Sequence, residues 1–118
     1  MQLDSMTLLH DVLKATDIIA GFVEGKTFDD YLADLKLRSA VERQFQIIGE
    51  ALAHLSRIDP ETAARITDCP RIVSFRNILV HAYAQVNDRI VWGAARGSLP
   101  RLRAEVVALL GEANDIEG

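Results

Sequence analysis

The sequence predicts an all-α protein, an antiparallel bundle of about four to five main helices with short connecting helices between them. Three observations predict it. Apolar residues recur three and four apart through most of the chain. No stretch alternates apolar and polar residues between hairpin turns. Capping and breaking residues fall at helix-length intervals, as at Gly25, Asp59-Pro60, Asp68 and Asn87-Asp88. With 118 residues, 49% apolar and 25% charged, the chain reads as one globular domain over residues 1–118.

The first helix spans Met6 to Val23, with Leu9, Val12, Leu13, Ile19, Ala20 and Val23 on its apolar side, and Gly25 stops it. Thr27 caps a short helix through Tyr31 and Leu32, with Asp30 in its first turn. A long helix runs from Leu37 to Arg57 on a stripe of Leu37, Val41, Phe45, Ile48, Leu52 and Leu55. Gly49 interrupts it at a cost of about 1 kcal/mol against alanine, which points to a close helix approach. Arg43, Gln46 and Glu50 form a second, polar stripe. Asp59 and Pro60 open a short helix toward Ile66, and Asp68, Cys69 and Pro70 break the chain again. A fourth helix from Arg71 to about Tyr83 carries Ile72, Val73, Phe75, Ile78, Leu79 and Ala82. Asn87 and Asp88 cap a further helix with Ile90, Val91, Trp92 and Ala95. The last begins near Pro100, runs through Leu110 and ends at Gly111, leaving a polar tail to fray.

The formal charge of −4 repels nucleic acid at long range, so an anionic substrate needs a local site. Ten of the thirteen basic residues are arginine, whose planar fork suits bidentate phosphate contact. The lone Cys69 closes no intrachain disulfide and reads as a partly buried structural residue. Asp4, Asp11, Asp17 and Glu24 interrupt the apolar residues up to Gly25, which argues against a signal peptide and for a cytoplasmic protein. No apolar run is long enough for a membrane span. His10, His54 and His81 fall on separate helices without ligand spacing, so no metal or other cofactor is expected.

The chemistry gathers at Arg76-Asn77-Ile78-Leu79-Val80-His81-Ala82-Tyr83. On an ideal helix Arg76 shares a stripe with Tyr83 and Asn77 shares one with His81, while Arg76 and His81 point about 140° apart. Both reach one phosphate only if the helix bends or ends near His81, or if a second copy completes the site.

This segment resembles the Arg, four residues, His, one residue, Tyr signature of the HEPN superfamily, and the sequence is similar to HepT-type toxins. The likeness extends over Arg38 to Leu52, including Ala40-Val41-Glu42-Arg43 and Gly49-Glu50-Ala51, and to Leu99-Pro100-Arg101-Leu102. Ala82 stands where glycine is common in that family. The resemblance implies a HEPN-type bundle and a metal-independent endoribonuclease toxin. It further implies a homodimer whose paired motifs line a cleft, with a minimal nucleotidyltransferase as antitoxin. Arg76 and His81 are then catalytic, and Tyr83 receives AMP.

The residue types suit those roles. Imidazole titrates near neutrality and serves as base or acid, so His81 can move the protons of a cleavage without metal. Arg76 can clamp the phosphate, Asn77 can hold the imidazole or a ribose hydroxyl, and Tyr83 can donate to phosphate or stack on a base. AMP on Tyr83 would put bulk and negative charge into a cleft that must admit an anion. Glu42, Arg43 and Glu50 either line the cleft or, for Arg43 and Glu50, form an ion pair within their own helix. A non-catalytic module that binds nucleotide or docks a nucleotidyltransferase is the alternative function.

Overall fold

The computed structural model describes residues 1–117, and their side chains apart from those of Tyr83 and residues 115–117. Seven α-helices among the described residues form the predicted all-α bundle: α1 Leu3–Val23, α2 Phe28–Ala33, α3 Leu35–Ile58, α4 Pro60–Ala64, α5 Cys69–His81, α6 Asp88–Gly93 and α7 Leu99–Glu117. Four long helical runs make the body, with α3 packed between α1 and α5, and α7 laid against α1.

The caps do what their chemistry predicts. Gly25 takes the left-handed conformation, φ 72°, that turns the chain out of α1. At α2 the Thr27 hydroxyl accepts from the Asp30 backbone N–H at 3.1 Å while the Asp30 carboxylate accepts from the Thr27 N–H at 2.9 Å, a full capping box. Asp34 caps α3 by accepting from the Leu37 N–H. The buried stripe of α3 is Val41, Phe45, Ile48, Leu52 and Leu55, as its spacing requires, joined by Gly49 and Ala51. On α1, Ala20 turns outward, and Ala15 and Thr16 fill the core side instead. The buried Thr16 hydroxyl donates to the Leu13 carbonyl at 2.8 Å, which satisfies its polar atom.

Asp59 does two jobs. One carboxylate oxygen accepts from the Thr62 N–H, and the other accepts from the Thr62 hydroxyl at 2.7 Å and from the fully buried Ser5 hydroxyl at 2.8 Å. These hydrogen bonds hold its carboxyl below the usual carboxylate range. Asp59→Ala is expected to destabilise the fold by about 1–3 kcal/mol at neutral pH, because it removes a cap and strands a buried hydroxyl. A carboxyl with a lowered folded pKa stabilises above its unfolded value and loses that contribution as pH falls through the folded one. Urea unfolding should therefore show the gap between wild type and variant shrinking in acid.

Three expectations are corrected. The break before α5 runs from Arg65 to Asp68, where Asp68 takes φ 59°, a conformation aspartate tolerates better than most side chains; Cys69 and Pro70 already belong to the first turn of α5. Between α6 and α7 there is no break at all. Ala94–Ser98 forms a π turn, with the Leu99 N–H reaching back five residues to the Ala94 carbonyl. Pro100 explains the widening, since it has no N–H for the carbonyl four residues earlier. Gly111 does not end α7, which continues to Glu117 because Leu109, Leu110 and Ala113 keep it buried against the core. The tail from Glu112 onward, expected to fray, is therefore helical through Glu117, and Gly118 lies outside the described residues. Cys69 is buried, with its sulfur 3.7 Å from the Ser56 hydroxyl, and burial pushes its thiol pKa up, as suits a structural residue.

Candidate active site

Helix α5 stops at His81, two residues earlier than its apolar rhythm implies. Ala82 leaves helical geometry at φ −133° and ψ 42°, and its N–H makes the last helical bond, to the Ile78 carbonyl at 2.9 Å. The backbone then tightens into a 3-10 turn, Tyr83–Gln85, before the Asn87 cap of α6. His81 thus stands exposed on the final residue of the helix. This is one of the conditions under which Arg76 and His81 can serve a common phosphate.

Arg76 sits at a close approach of α3 and α5. A Cβ placed on Gly49 would lie 2.2 Å from the Arg76 Cβ and 2.6 Å from its Cγ. Only glycine leaves room, which is the close approach its position in the helix implied. The root of Arg76 is therefore clamped, and its Nε is buried without a partner. At the tip, Nη1 donates to the Asn77 side-chain oxygen at 2.9 Å and Nη2 lies 3.5 Å from a Glu50 carboxylate oxygen. The same Glu50 oxygen is 3.9 Å from Arg43 Nη1, which also donates to the Gln46 side-chain oxygen at 3.3 Å. Arg43, Glu50, Arg76 and Asn77 form one exposed polar chain across the two helices.

Arg76 and Asn77 are therefore brought together, but Asn77 orients the guanidinium rather than the imidazole. The Tyr83 side chain lies outside the described residues. The Arg43–Glu50 ion pair exists, and Glu50 also reaches Arg76, a link the sequence did not assign. Its only signal was adjacency to Gly49, the residue that lets α5 come near.

Glu42 belongs to a different cluster. Burial, with Asp88 adding to it against the opposing pull of Arg38, raises its carboxyl pKa. Arg38 is itself tied to the Tyr31 and Leu32 carbonyls and lies 3.9 Å from Asp88. Tyr31 is wholly buried beside Trp92, at a ring separation of 5.4 Å, and burial raises its phenol pKa well above the ordinary value. A raised carboxyl pKa gives a contribution present at low pH and lost as pH climbs through the folded value. Glu42→Gln is accordingly expected to raise Tm at pH 7 by roughly one or two degrees, a small gain because the carboxyl is only partly buried and solvent screens it, and to change nothing in acid. Thermal melts at the two pH values check it.

The opposite flank of α5 faces an apolar groove of about 500 Å³ lined by Phe45, Phe75, Ile78, Ile90, Leu99 and Leu102. Within that groove Ile78 and Ile90 are 43% and 59% exposed, an apolar surface left open to solvent. Among the described residues, no three His, Cys, Asp or Glu side chains stand where they could share a metal ion, and no helix is long and apolar enough to cross a membrane.

Comparison with known proteins identifies the family of the chain. The family model described as "Ribonuclease HepT-like" matches residues 12–109. A Thermococcus cleftensis protein named "Probable ribonuclease HepT" is 32% identical over 101 residues, covering 82% of this chain and 87% of the relative. A Methanocaldococcus jannaschii protein with a provisional RNase name is 31% identical over 98% of this chain and 92% of its own length. A third, from Caldanaerobacter subterraneus subsp. tengcongensis and also provisionally named an RNase, is 30% identical over 86% of this chain and 90% of the relative. No solved structure matches.

Proposed function

The chain belongs to the HepT-like ribonuclease family, and from that premise we propose that it is a metal-independent endoribonuclease whose reacting groups are Arg76 and His81. The observation that carries this reading is the end of α5 at His81, with Arg76 clamped against Gly49 on the same helix. An imidazole at a helix end is free to approach a ribose hydroxyl, while a guanidinium seated by its root holds a phosphate in fixed relation to it.

In the proposed reaction the 2′-hydroxyl gives up its proton and attacks the adjacent phosphorus. The bond to the 5′-oxygen breaks, and that oxygen takes a proton. The products are a 2′,3′-cyclic phosphate and a 5′-hydroxyl. His81 moves a proton, and Arg76 balances the charge that builds on the phosphoryl oxygens. Asn77 holds the guanidinium in the orientation that two parallel N–H groups need.

The protein acts in this reading as the toxin of a toxin–antitoxin pair in the cytoplasm. It works as a homodimer with the two motifs facing one cleft, and a minimal nucleotidyltransferase silences it by transferring AMP to Tyr83. The exposed Ile78 and Ile90 on the apolar groove support a dimer, because an exposed apolar surface is what a second copy would cover. Incubating the purified protein with RNA in EDTA tests the proposal: cleavage yielding 2′,3′-cyclic phosphate ends is expected. No cleavage by protein whose Tyr83 is bare by mass spectrometry would turn the reading to a nucleotide-binding or docking module.

A further inference from the structure

We propose that Arg43 is a second phosphate-binding residue of this site, taking the phosphate next to the scissile one, with Glu50 as the counter-ion that holds Arg43 and Arg76 together when no RNA is bound. This rests on the ribonuclease reading and extends it.

The register of α3 against α5 places Arg43. The two helices run antiparallel: Ser56 lies against Cys69 and Gly49 against Arg76, and further along α3 Arg38 is near Asp88 at the start of α6. Arg43, between Gly49 and Arg38, therefore stands level with the end of α5, where His81 is. It shares a helix stripe with Glu50, seven residues on, and Glu50 is the residue that touches Arg76.

The pairing of Arg43 also sets it apart from most other arginines. Arg65 grips Glu112 through two short bonds of 2.7 and 2.6 Å, Arg103 holds Asp17 at 2.6 Å, and Arg101 holds Asp68 at 3.2 Å. Arg89 and Arg96 lie over the rings of Phe28 and Trp92. Arg43 has a 3.9 Å contact with a carboxylate it shares, and its side chain is 59% exposed. An exposed pair of that geometry holds little free energy, so a phosphate can replace the carboxylate at small cost. One Glu50 oxygen touches both guanidinium groups and so leaves each only partly neutralised. Two neighbouring phosphates on a strand would give each group an anion of its own. Such a pair of anchors also answers the overall negative charge of the protein, which offers no long-range attraction to RNA.

The test compares two substrates, a dinucleoside monophosphate, which has only the scissile phosphate, and an oligoribonucleotide with phosphates on both sides. Arg43→Ala is expected to raise KM about tenfold for the oligonucleotide alone, the size of one charge-assisted hydrogen bond, with kcat kept on both substrates. Arg43→Lys should recover most of the loss. In parallel, binding of a 2′-O-methyl oligonucleotide, which cannot be cleaved, is measured against salt. Arg43→Ala should make the slope of log K on log salt shallower by about 0.7, the value for one phosphate on a single strand. An unchanged slope with unchanged KM, or an equal loss on both substrates, would overturn the assignment. Wild-type protein that binds but does not cleave would sink the ribonuclease reading while the slope still decides Arg43. Absence of both binding and cleavage would overturn the two together.

Discussion

His81→Ala is expected to abolish RNA cleavage in EDTA while leaving the fold intact. Removing a group that transfers protons in the transition state costs typically 10²–10⁴-fold in rate, and no metal is supplied to take its place. The side chain is exposed on the last residue of α5, so its loss should move stability by no more than about 0.5 kcal/mol. Rates measured on a defined oligonucleotide, with circular dichroism and light scattering on the same samples, separate chemistry from folding. A variant that cleaves at the wild-type rate would remove His81 from the reaction. One that unfolds would show that the residue holds up the end of the helix, and His81→Gln, which keeps size and hydrogen bonding without general acid–base capacity, would then carry the test.

Gly49→Ala should damage both stability and activity, for a reason opposite to helix propensity. On propensity alone alanine gains about 1 kcal/mol over glycine inside a helix. Here its methyl would sit 2.2 Å from the Arg76 Cβ and 2.6 Å from the Cγ, both at the root of the side chain, where no rotation relieves the clash. The helices must move apart, and overpacking of this kind costs about 1–3 kcal/mol, with more expected for a clash between atoms this near the backbone. A net loss of stability on the order of 1–2 kcal/mol is expected from the balance. Activity should fall further, to about one-hundredth, because a displacement of roughly 1 Å at a phosphate clamp is enough for that. Adding Arg76→Gly, which deletes the clashing Cβ, should restore stability to Gly49→Ala without restoring cleavage. Gly49→Ala protein that is more stable than wild type and fully active would show that α3 and α5 do not meet there.

Much of the fold was legible because it depends on local chemistry. The stripe of α3, the Leu9, Val12, Ile19 and Val23 part of the α1 stripe, the cap at Thr27, the stop at Gly25 and the start at Asp59-Pro60 are each set by residues within one or two turns. The misreadings share a cause, since each was decided by a partner distant in sequence or by a backbone bond a pattern cannot display. Gly111 looked like a terminator, yet burial of Ala113 beyond it keeps α7 going. The last helix does begin beside Pro100, at Leu99, but the separation expected before it is missing, because a π turn absorbs the absent N–H and keeps the run continuous from α6. Ser5 falls before the helix start that the pattern gives at Met6, although it lies in α1, fully buried and bonded to Asp59, fifty-four residues away.

The candidate site divides the same way. The sequence by itself determined which side chains are present, their order on the helices and the all-α class, and its likeness to a ribonuclease signature is what the roles proposed for Arg76, His81 and Tyr83 rest on. It also marked Gly49 as a residue with a reason. Only the tertiary structure decided that the reason is Arg76, that Glu50 bridges two arginines, that Asn77 serves the guanidinium, and that α5 ends at His81. Periodicity along one helix fixes directions relative to that helix alone. The axial register between two helices, and hence which charges meet, depends on how closely their backbones approach, and here that distance is set by a side chain that is absent.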